Sequence, residues 1–184
     1  MKRNFYFFRH GQTNENEAGA REGNRVESFL TTTGVKQATR LAEYLSDKNI
    51  EVIYSSPLKR AVQTAEIVKE YYPDIKIIKD DDLIEAAFGF WYNDRPEAQQ
   101  RVDDNFNRIK RCFDRIVSQS DYKDVAVSSH GGVTRALCYA AGLKVGNIKN
   151  CQCFHFVLDD GVWSFIDTFE TGIEVVNKSD ISQE

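Results

Sequence analysis

FYFFRHGQT, residues 5–13, places four aromatic side chains directly before Arg9, His10 and Gly11. A short apolar run that ends near a glycine is typical of a buried strand. Ligands of open α/β sheets bind beyond the carboxyl ends of the strands, which is where Arg9 and His10 would lie. Arg9 would supply a fixed positive charge, His10 a nitrogen nucleophile, and Gly11 a close approach of the backbone to a ligand. On these residues alone, a strand end with a solvated arginine and a hydrogen-bonded histidine fits equally well.

Length and composition indicate one globular domain: the chain has 184 residues, of which 41% are apolar and 28% are charged. The net charge of −4 argues against a general nucleic-acid-binding protein. We find no apolar stretch long enough for a secretory signal or a membrane span, so we expect a cytoplasmic protein without a membrane partner. The cysteines match no zinc pattern, and we expect them to be reduced, buried core residues: Cys112, Cys138, Cys151 and Cys153.

The alternation of strand-like and helix-like segments predicts the fold class. Short apolar runs predict further strands at residues 50–54, 75–78 and 125–127. Apolar residues at helical spacing lie between these strands and after them. Asp159-Asp160-Gly161 joins the last two apolar runs into a predicted hairpin. We therefore predict an α/β fold: a three-layer sandwich with a mostly parallel sheet, helices on both faces and a C-terminal β-hairpin. A single domain is expected over residues 1–170, followed by a polar tail over residues 171–184.

Local patterns predict where individual elements begin and which faces they bury. The first long helix is expected to start at a threonine N-cap, and its buried face is expected to carry Val35, Ala38, Leu41, Ala42 and Leu45. Ser56 can cap the next helix, with Pro57 at its first position. The acidic run Asp80–Asp82 is expected to be solvated surface, and His155 is expected to be structural.

Polar side chains follow several predicted strands. His10-Gly11 and His130-Gly131 each end a strand, Arg60 follows another within one helical turn, and Glu85 lies in the loop after the next. Because the carboxyl ends of parallel strands share one edge of a sheet, we expect these groups to converge. Two histidines, two arginines and one carboxylate are an odd set for a core, but they suit a phosphate monoester.

Each of these groups has a task in phosphoryl chemistry. Arginine forks bind phosphate oxygens bidentately, and the helix that begins at Gly131 points backbone N–H groups at an anion. One histidine can attack phosphorus in line and form a phosphohistidine, while the nearby cations keep its imidazole neutral. Glu85 could give the leaving alkoxide its proton.

These motifs resemble those of the histidine phosphatase superfamily, the phosphoglycerate-mutase-like group. The resemblance spans nearly the whole chain in the family's order, so the joint signal is specific although each piece is short. The segments are RHGQT at 9–13 with Asn16, LT at 30–31 with Gly34, Gln37 and Ala38, SSPLKRAVQTA at 55–65, LIE at 83–85 with Phe88, Gly89 and Trp91, and VSSHGGVTRAL at 127–137.

The resemblance implies a role for each candidate residue. His10 would be the phosphorylated nucleophile and Glu85 the proton donor. The phosphoryl group would be held by Arg9, Arg60 and His130. The substrate pocket would be lined by Thr13, Asn16, Gln12 and Gly131, although Gln12 fits a backbone-capping role equally well. The family uses no metal, and we expect neither a metal nor another cofactor.

The branch of the family depends on what surrounds the shared centre. Mutases that use bisphosphoglycerate are longer and carry an extra segment with further arginines after the acid motif. Here Ala86 and Ala87 follow Glu85, and the segment up to Asp94 is short. The chain therefore lacks much of the basic lid that would retain a bisphosphate. We expect water to be the phosphoryl acceptor, and thus a phosphatase that acts on a small phosphorylated metabolite.

Other interpretations stay open at this point. The chain could be a phosphoglycerate mutase, a short phosphohistidine protein phosphatase, or a phosphate-binding regulatory protein without turnover. Sugar phosphates, α-ribazole phosphate, phosphoglycerates and phosphoproteins all fit the predicted reaction. An edge strand or the hairpin could pair two copies in a homodimer.

Overall fold

Residues 1–20, 27–85 and 96–174 are described by this computed structural model, and they form a six-stranded sheet with helices on both faces. The strands are β1 (Arg3–Arg9), β2 (Val52–Ser55), β3 (Lys76–Lys79), β4 (Asp124–Ser129), β5 (Cys153–Asp159) and β6 (Val162–Phe169). The helices are α1 (Asn14–Glu17), α2 (Thr32–Leu45), α3 (Lys59–Lys69), α4 (Pro96–Gln119) and α5 (Gly131–Ala140), with a 3₁₀ turn at Asp81–Leu83.

In the sheet order β3-β2-β4-β1-β5-β6, β1 is a central strand that lies between β4 and β5. Strands β3, β2, β4 and β1 are parallel, β5 pairs antiparallel with β1, and β6 pairs antiparallel with β5. Arg9 pairs with Ser129 and Ser55 pairs with Ser128, so β1, β4 and β2 end side by side. The first residues beyond these three strands therefore emerge together at one edge: His10, Ser56 and His130.

The aromatic run of β1 is buried on both of its faces, as a parallel sheet covered on both sides requires. Phe5 and Phe7 belong to the core under α4 and α5, whereas Tyr6 and Phe8 belong to the core under α2 and α3. This alternation explains why four aromatic residues in succession are all buried.

The closing hairpin forms as predicted. Its turn residues Asp160 (φ 45°) and Gly161 (φ 83°) both adopt the left-handed conformation that a two-residue hairpin turn needs. With the hairpin in place, the predicted α/β sandwich with a mostly parallel sheet is confirmed.

Most local expectations for α2 and α3 are confirmed, with two corrections. Thr31 is the N-cap of α2, and its Oγ1 accepts a hydrogen bond from Gly34 N at 3.0 Å. Val35 is 44% exposed, because the buried side of the first turn is Gly34, whose backbone packs on the loop after β1. Helix α3 begins only at Lys59, so Ser56 does not cap it directly and Pro57 does not occupy its first position.

The expectation of a solvated acidic run after β3 is wrong for Asp80 and Asp82, whereas Asp81 is exposed as expected. The side chains of Asp80 and Asp82 are 11% and 16% exposed, because arginines of α4 lie over the turn that carries them. The segment after β1 contains the one-turn helix α1, which Thr13 caps.

The remaining expectations concern the cysteines and the segments beyond the described residues. All four cysteines are free and buried, as predicted. Within the ranges described, no helix is long and apolar enough to cross a membrane. The short segment after Glu85, with Phe88, Trp91 and Asp94, lies outside the described residues, as does the end of the tail over 175–184.

Candidate active site

The loop after β1 is packed so tightly on the start of α2 that it requires two glycines. A Cβ on Gly11 would lie 2.5 Å from the Gly34 carbonyl oxygen, and a Cβ on Gly34 would lie 2.0 Å from the Gln12 carbonyl oxygen. Thr64 of α3 adds a further anchor, since its Oγ1 accepts a hydrogen bond from Gly11 N at 3.1 Å. The backbone around His10 is therefore held from two helices.

His10 is buried, with 1% of its surface exposed, and its ring is oriented by its own backbone neighbour. Nδ1 lies 2.8 Å from the Gly11 carbonyl oxygen. A carbonyl can only accept, so Nδ1 carries the proton and Nε2 carries the lone pair. Burial, and then the charges of Arg9 and Arg60, hold the pKa of His10 well below its ordinary value. The ring is thus a neutral imidazole, and a neutral imidazole with its lone pair on Nε2 has the chemistry that a nitrogen nucleophile needs.

His130 lies across from His10, with ring centroids 5.3 Å apart. Its Nε2 is 2.8 Å from Ser56 Oγ, and that oxygen also accepts a hydrogen bond from Leu58 N at 3.3 Å. Its Nδ1 is buried and has no hydrogen-bond partner in the part of the chain that the structure describes. Burial is the main cause that lowers the pKa of His130, followed by the charges of His10 and of Arg60. A buried polar atom without a partner is expected where a ligand supplies one.

Arg9 and Arg60 bring two permanent positive charges to the histidines. Arg60 lies in the first turn of α3, is 1% exposed, and its Nη1 is 3.4 Å from Ser28 Oγ. Arg9 is held by the loop before β5, because its Nη1 donates to the Ile148 carbonyl at 2.7 Å. Both guanidinium groups lower the pKa of His10, so both lie within electrostatic reach of its ring.

Glu85 approaches the same edge of the sheet from the loop after the 3₁₀ turn. Its Oε2 accepts a hydrogen bond from the backbone N of Gly132 at 3.4 Å, in the first turn of α5. The N-terminus of a helix favours negative charge, which suits a bound anion. Arg108 of α4 is a further cation nearby, and its Nη1 donates to the carbonyl of Ile84, the residue before Glu85, at 2.6 Å.

Two of the four predicted substrate-binding residues, Asn16 and Gly131, lie next to Arg9, and a third, Thr13, holds Asn16. Asn16 Oδ1 is 3.4 Å from Arg9 Nη2, and Thr13 is buried and holds Asn16 N with its Oγ1 at 3.2 Å. A Cβ on Gly131 would lie 3.5 Å from Arg9 Cδ. The fourth residue, Gln12, packs between the loop and α2, where its Oε1 accepts from Thr31 Oγ1 at 3.0 Å.

Residues that the motifs did not single out for the site support it from behind. Asn150 Nδ2 donates to the His10 carbonyl and to Asn16 Oδ1, both at 3.1 Å. Gln37 Oε1 accepts from Gln12 N at 2.9 Å. Asn150 precedes β5 and is remote from every motif residue in the chain, so no spacing pattern could have identified it.

Comparison with known proteins identifies the family. The family model described as histidine phosphatase superfamily (branch 1) matches residues 5–107 and 91–177. The chain belongs to this superfamily. Phosphoserine phosphatase 1 of Hydrogenobacter thermophilus is 36% identical over 169 residues, which cover 79% of this chain and 79% of that protein.

Solved structures share the fold of this histidine phosphatase. A mycobacterial glucosyl-3-phosphoglycerate phosphatase is 23% identical, with a TM-score of 0.72 over 90% of this chain and 97% of that chain. A phosphoglycerate mutase from Bacillus anthracis is 22% identical, with a TM-score of 0.76 over 99% of this chain and 96% of that chain. The structural likeness at these identities concerns the fold alone. The family match and the curated relatives make the chain a phosphatase of this superfamily.

Proposed function

We propose that this histidine phosphatase hydrolyses small phosphate monoesters through a phosphohistidine at Nε2 of His10. The observation that carries the proposal is the hydrogen bond of His10 Nδ1 to the Gly11 carbonyl at 2.8 Å, together with the lowered pKa of the ring. A neutral imidazole of this tautomer, set beside two arginines, has the properties that attack on a phosphate dianion needs.

In the proposed first step, the phosphoryl group binds between the cations and the start of α5. Arg9 and Arg60 supply charge and N–H groups, and the Nδ1–H of His130 donates to a phosphoryl oxygen. Nε2 of His130 then accepts from the Ser56 hydroxyl, whose oxygen in turn accepts from Leu58 N. This arrangement gives the buried Nδ1 of His130 the partner that the protein itself does not supply in its described part.

The proposed chemistry transfers the phosphoryl group twice. The lone pair of His10 Nε2 attacks phosphorus, the N–P bond forms, and the bond to the ester oxygen breaks in line. The leaving oxygen takes a proton from Glu85, which becomes a carboxylate. Water then attacks the phosphohistidine and loses a proton to Glu85, which restores both residues and releases inorganic phosphate.

The substrate and the setting extend this proposal. Relatives named for phosphoserine support a small phosphorylated metabolite as the substrate. We propose that the reaction needs no metal, since the arginines and the α5 terminus provide positive charge at the phosphoryl oxygens. We also propose that residues 1–170 form the catalytic domain of a cytoplasmic enzyme, which the four free cysteines support.

The test is to trap the intermediate. Brief exposure to ³²P-labelled substrate is expected to label the enzyme with acid-labile, base-stable phosphate, and His10→Ala is expected to abolish both label and turnover. His155→Ala is the matched control, because His155 lies in β5 outside the candidate site. Its ring stacks on Tyr6, and its Nε2 lies 3.0 Å from Asn4 Oδ1. Label that survives in His10→Ala would move the nucleophile to another residue. Phosphate binding without label or turnover in the wild type would favour a regulatory protein.

A further inference from the structure

The acidic run after β3 is tied to α4 by a set of short contacts. Arg115 Nη2 lies 2.6 Å from both carboxylate oxygens of Asp80 and 2.7 Å from Asp82 Oδ2. Arg111 Nη2 lies 2.8 Å from Asp82 Oδ1. These four residues, Asp80, Asp82, Arg111 and Arg115, are here called the acidic clamp. It joins the end of the sheet to the second half of α4.

The charges of the acidic clamp stabilise one another. Burial acts to raise the pKa of Asp82, but hydrogen bonds from Arg115 and Arg111 lower it overall. The hydrogen bond to Asp80 is the main cause that raises the pKa of Arg115. Asp82 and Arg115 are therefore both ionised at neutral pH, where their opposite charges hold the acidic clamp together.

The two residues between the acidic clamp and Glu85 are also fixed. Leu83 is fully buried, and its carbonyl accepts a hydrogen bond from Ser129 Oγ at 2.9 Å. The Ile84 carbonyl accepts from Arg108 Nη1 at 2.6 Å. The main chain that delivers Glu85 is thus held by the end of β4 on one side and by α4 on the other.

We propose that Arg115, acting through Asp80 and Asp82, is a positioning residue for Glu85. This inference rests on the proposed function, in which Glu85 protonates the leaving oxygen. A proton donor must lie within hydrogen-bond reach of its target, and a displacement of about 1 Å can cost about 10²-fold in rate. The acidic clamp ends three residues before Glu85, so a change in the clamp moves the carboxyl group more than it moves the histidines, which other strands carry.

The test uses the difference between a poor and a good leaving group. Arg115→Met removes the contacts to both aspartates. We expect kcat for β-glycerophosphate, an alkyl ester, to fall about tenfold or more. We expect kcat for p-nitrophenyl phosphate, whose phenolate leaves without a proton, to change less than about twofold. The inhibition constant of inorganic phosphate, which reports on the phosphoryl site, is expected to remain unchanged.

A double-mutant cycle decides whether Arg115 acts through Glu85. Glu85→Gln alone is expected to slow the alkyl ester by about 10²-fold or more and the aryl ester far less. In the Glu85→Gln background, Arg115→Met should cause no further loss of kcat on the alkyl ester, because the carboxyl proton that Arg115 positions is absent. Lys110→Met is the matched control, since it breaks the exposed Lys110–Asp114 pair on the same helix without touching the acidic clamp.

The outcomes distinguish a failure of the proton-donor role of Glu85 from a failure of the positioning role of Arg115. If Glu85→Gln slows both esters equally, the proton-donor role fails and the positioning role fails with it. If Glu85→Gln is selective but Arg115→Met slows both esters alike, or adds to Glu85→Gln, only the positioning role is overturned. If Arg115→Met does not fold, Arg111→Met removes one contact from Asp82 and is expected to give the same selectivity with a smaller loss; equal losses on both esters would refute the proposal.

Discussion

The contact between Ser56 and His130 offers a sharp test of the site, because in the proposed mechanism the Ser56 hydroxyl donates to His130 Nε2 and so keeps the proton of His130 on Nδ1. Ser56→Ala removes the atom 2.8 Å from His130 Nε2 and leaves Leu58 N without that acceptor. Both Ser56 and His130 are fully buried, so water cannot readily take the place of the hydroxyl. The variant therefore leaves two polar atoms unpaired and frees His130 to place its proton on Nε2.

The size of the effect follows from the cost of an unpaired buried polar group, about 1–3 kcal/mol. If the tautomer with the proton on Nδ1 becomes less stable by about 1.4 kcal/mol, its ratio to the other tautomer falls about tenfold, and the fraction of enzyme that can donate to the phosphoryl group falls by up to that factor. We therefore expect kcat/KM to fall by up to about tenfold on alkyl and aryl phosphates alike. The loss is expected to be equal because, in the proposed mechanism, His130 acts on the phosphoryl group and not on the leaving group.

The assay compares Ser56→Ala with Ser128→Ala, which removes another fully buried hydroxyl, one that donates to the Ala61 carbonyl at 2.8 Å. Both variants should lose thermal stability, but only Ser56→Ala should lose up to about tenfold in kcat/KM. Equal kinetic losses in the two variants would show that the Ser56 contact only supports packing. Loss of stability in Ser56→Ala with unchanged kcat/KM would refute the tautomer argument.

The remaining predictions concern pH, metals and the phosphoryl acceptor. The folded-state pKa values of His10 and His130 lie well below the unfolded value of about 6.5, so the unfolded chain binds more protons below that pH. The free energy of unfolding should fall as the pH drops below about 6.5, by at most about 1.4 kcal/mol per pH unit for each histidine. His10→Asn should flatten this dependence of the unfolding free energy on pH, measured by urea titration. An unchanged dependence in that variant would contradict a buried neutral ring at His10. Activity should survive dialysis against EDTA, whereas loss on chelation with recovery on adding a divalent ion would exclude a metal-independent site. Phosphate release from 3-phosphoglycerate should outpace its conversion to 2-phosphoglycerate in a coupled assay, and the reverse order would make the enzyme a mutase.

Much of the fold and of the candidate site could be predicted from local sequence. The aromatic run before Arg9 and His10 specifies a strand buried on both faces. Its successive side chains point to opposite sides of the sheet, and only a sheet covered on both sides buries them all. The glycines after His10 and His130, and Arg60 in the first turn of a helix, place the candidate groups at strand ends. Because parallel strands share one edge, this is enough to bring them together.

The tertiary structure alone decided how these groups are oriented and held. Ser56 and His130 are 74 residues apart, and their contact depends on the register between β2 and β4, which no spacing in the chain encodes. The acidic run resembled solvated surface because its partners, Arg111 and Arg115, lie on another element about 30 residues later. A sequence pattern reports periods of 2 and 3.6 residues and so determines which face of an element is buried. Which charges pair, and which nitrogen of a histidine carries the proton, depends on distances between elements. Those distances are set only once the sheet and its helices have packed.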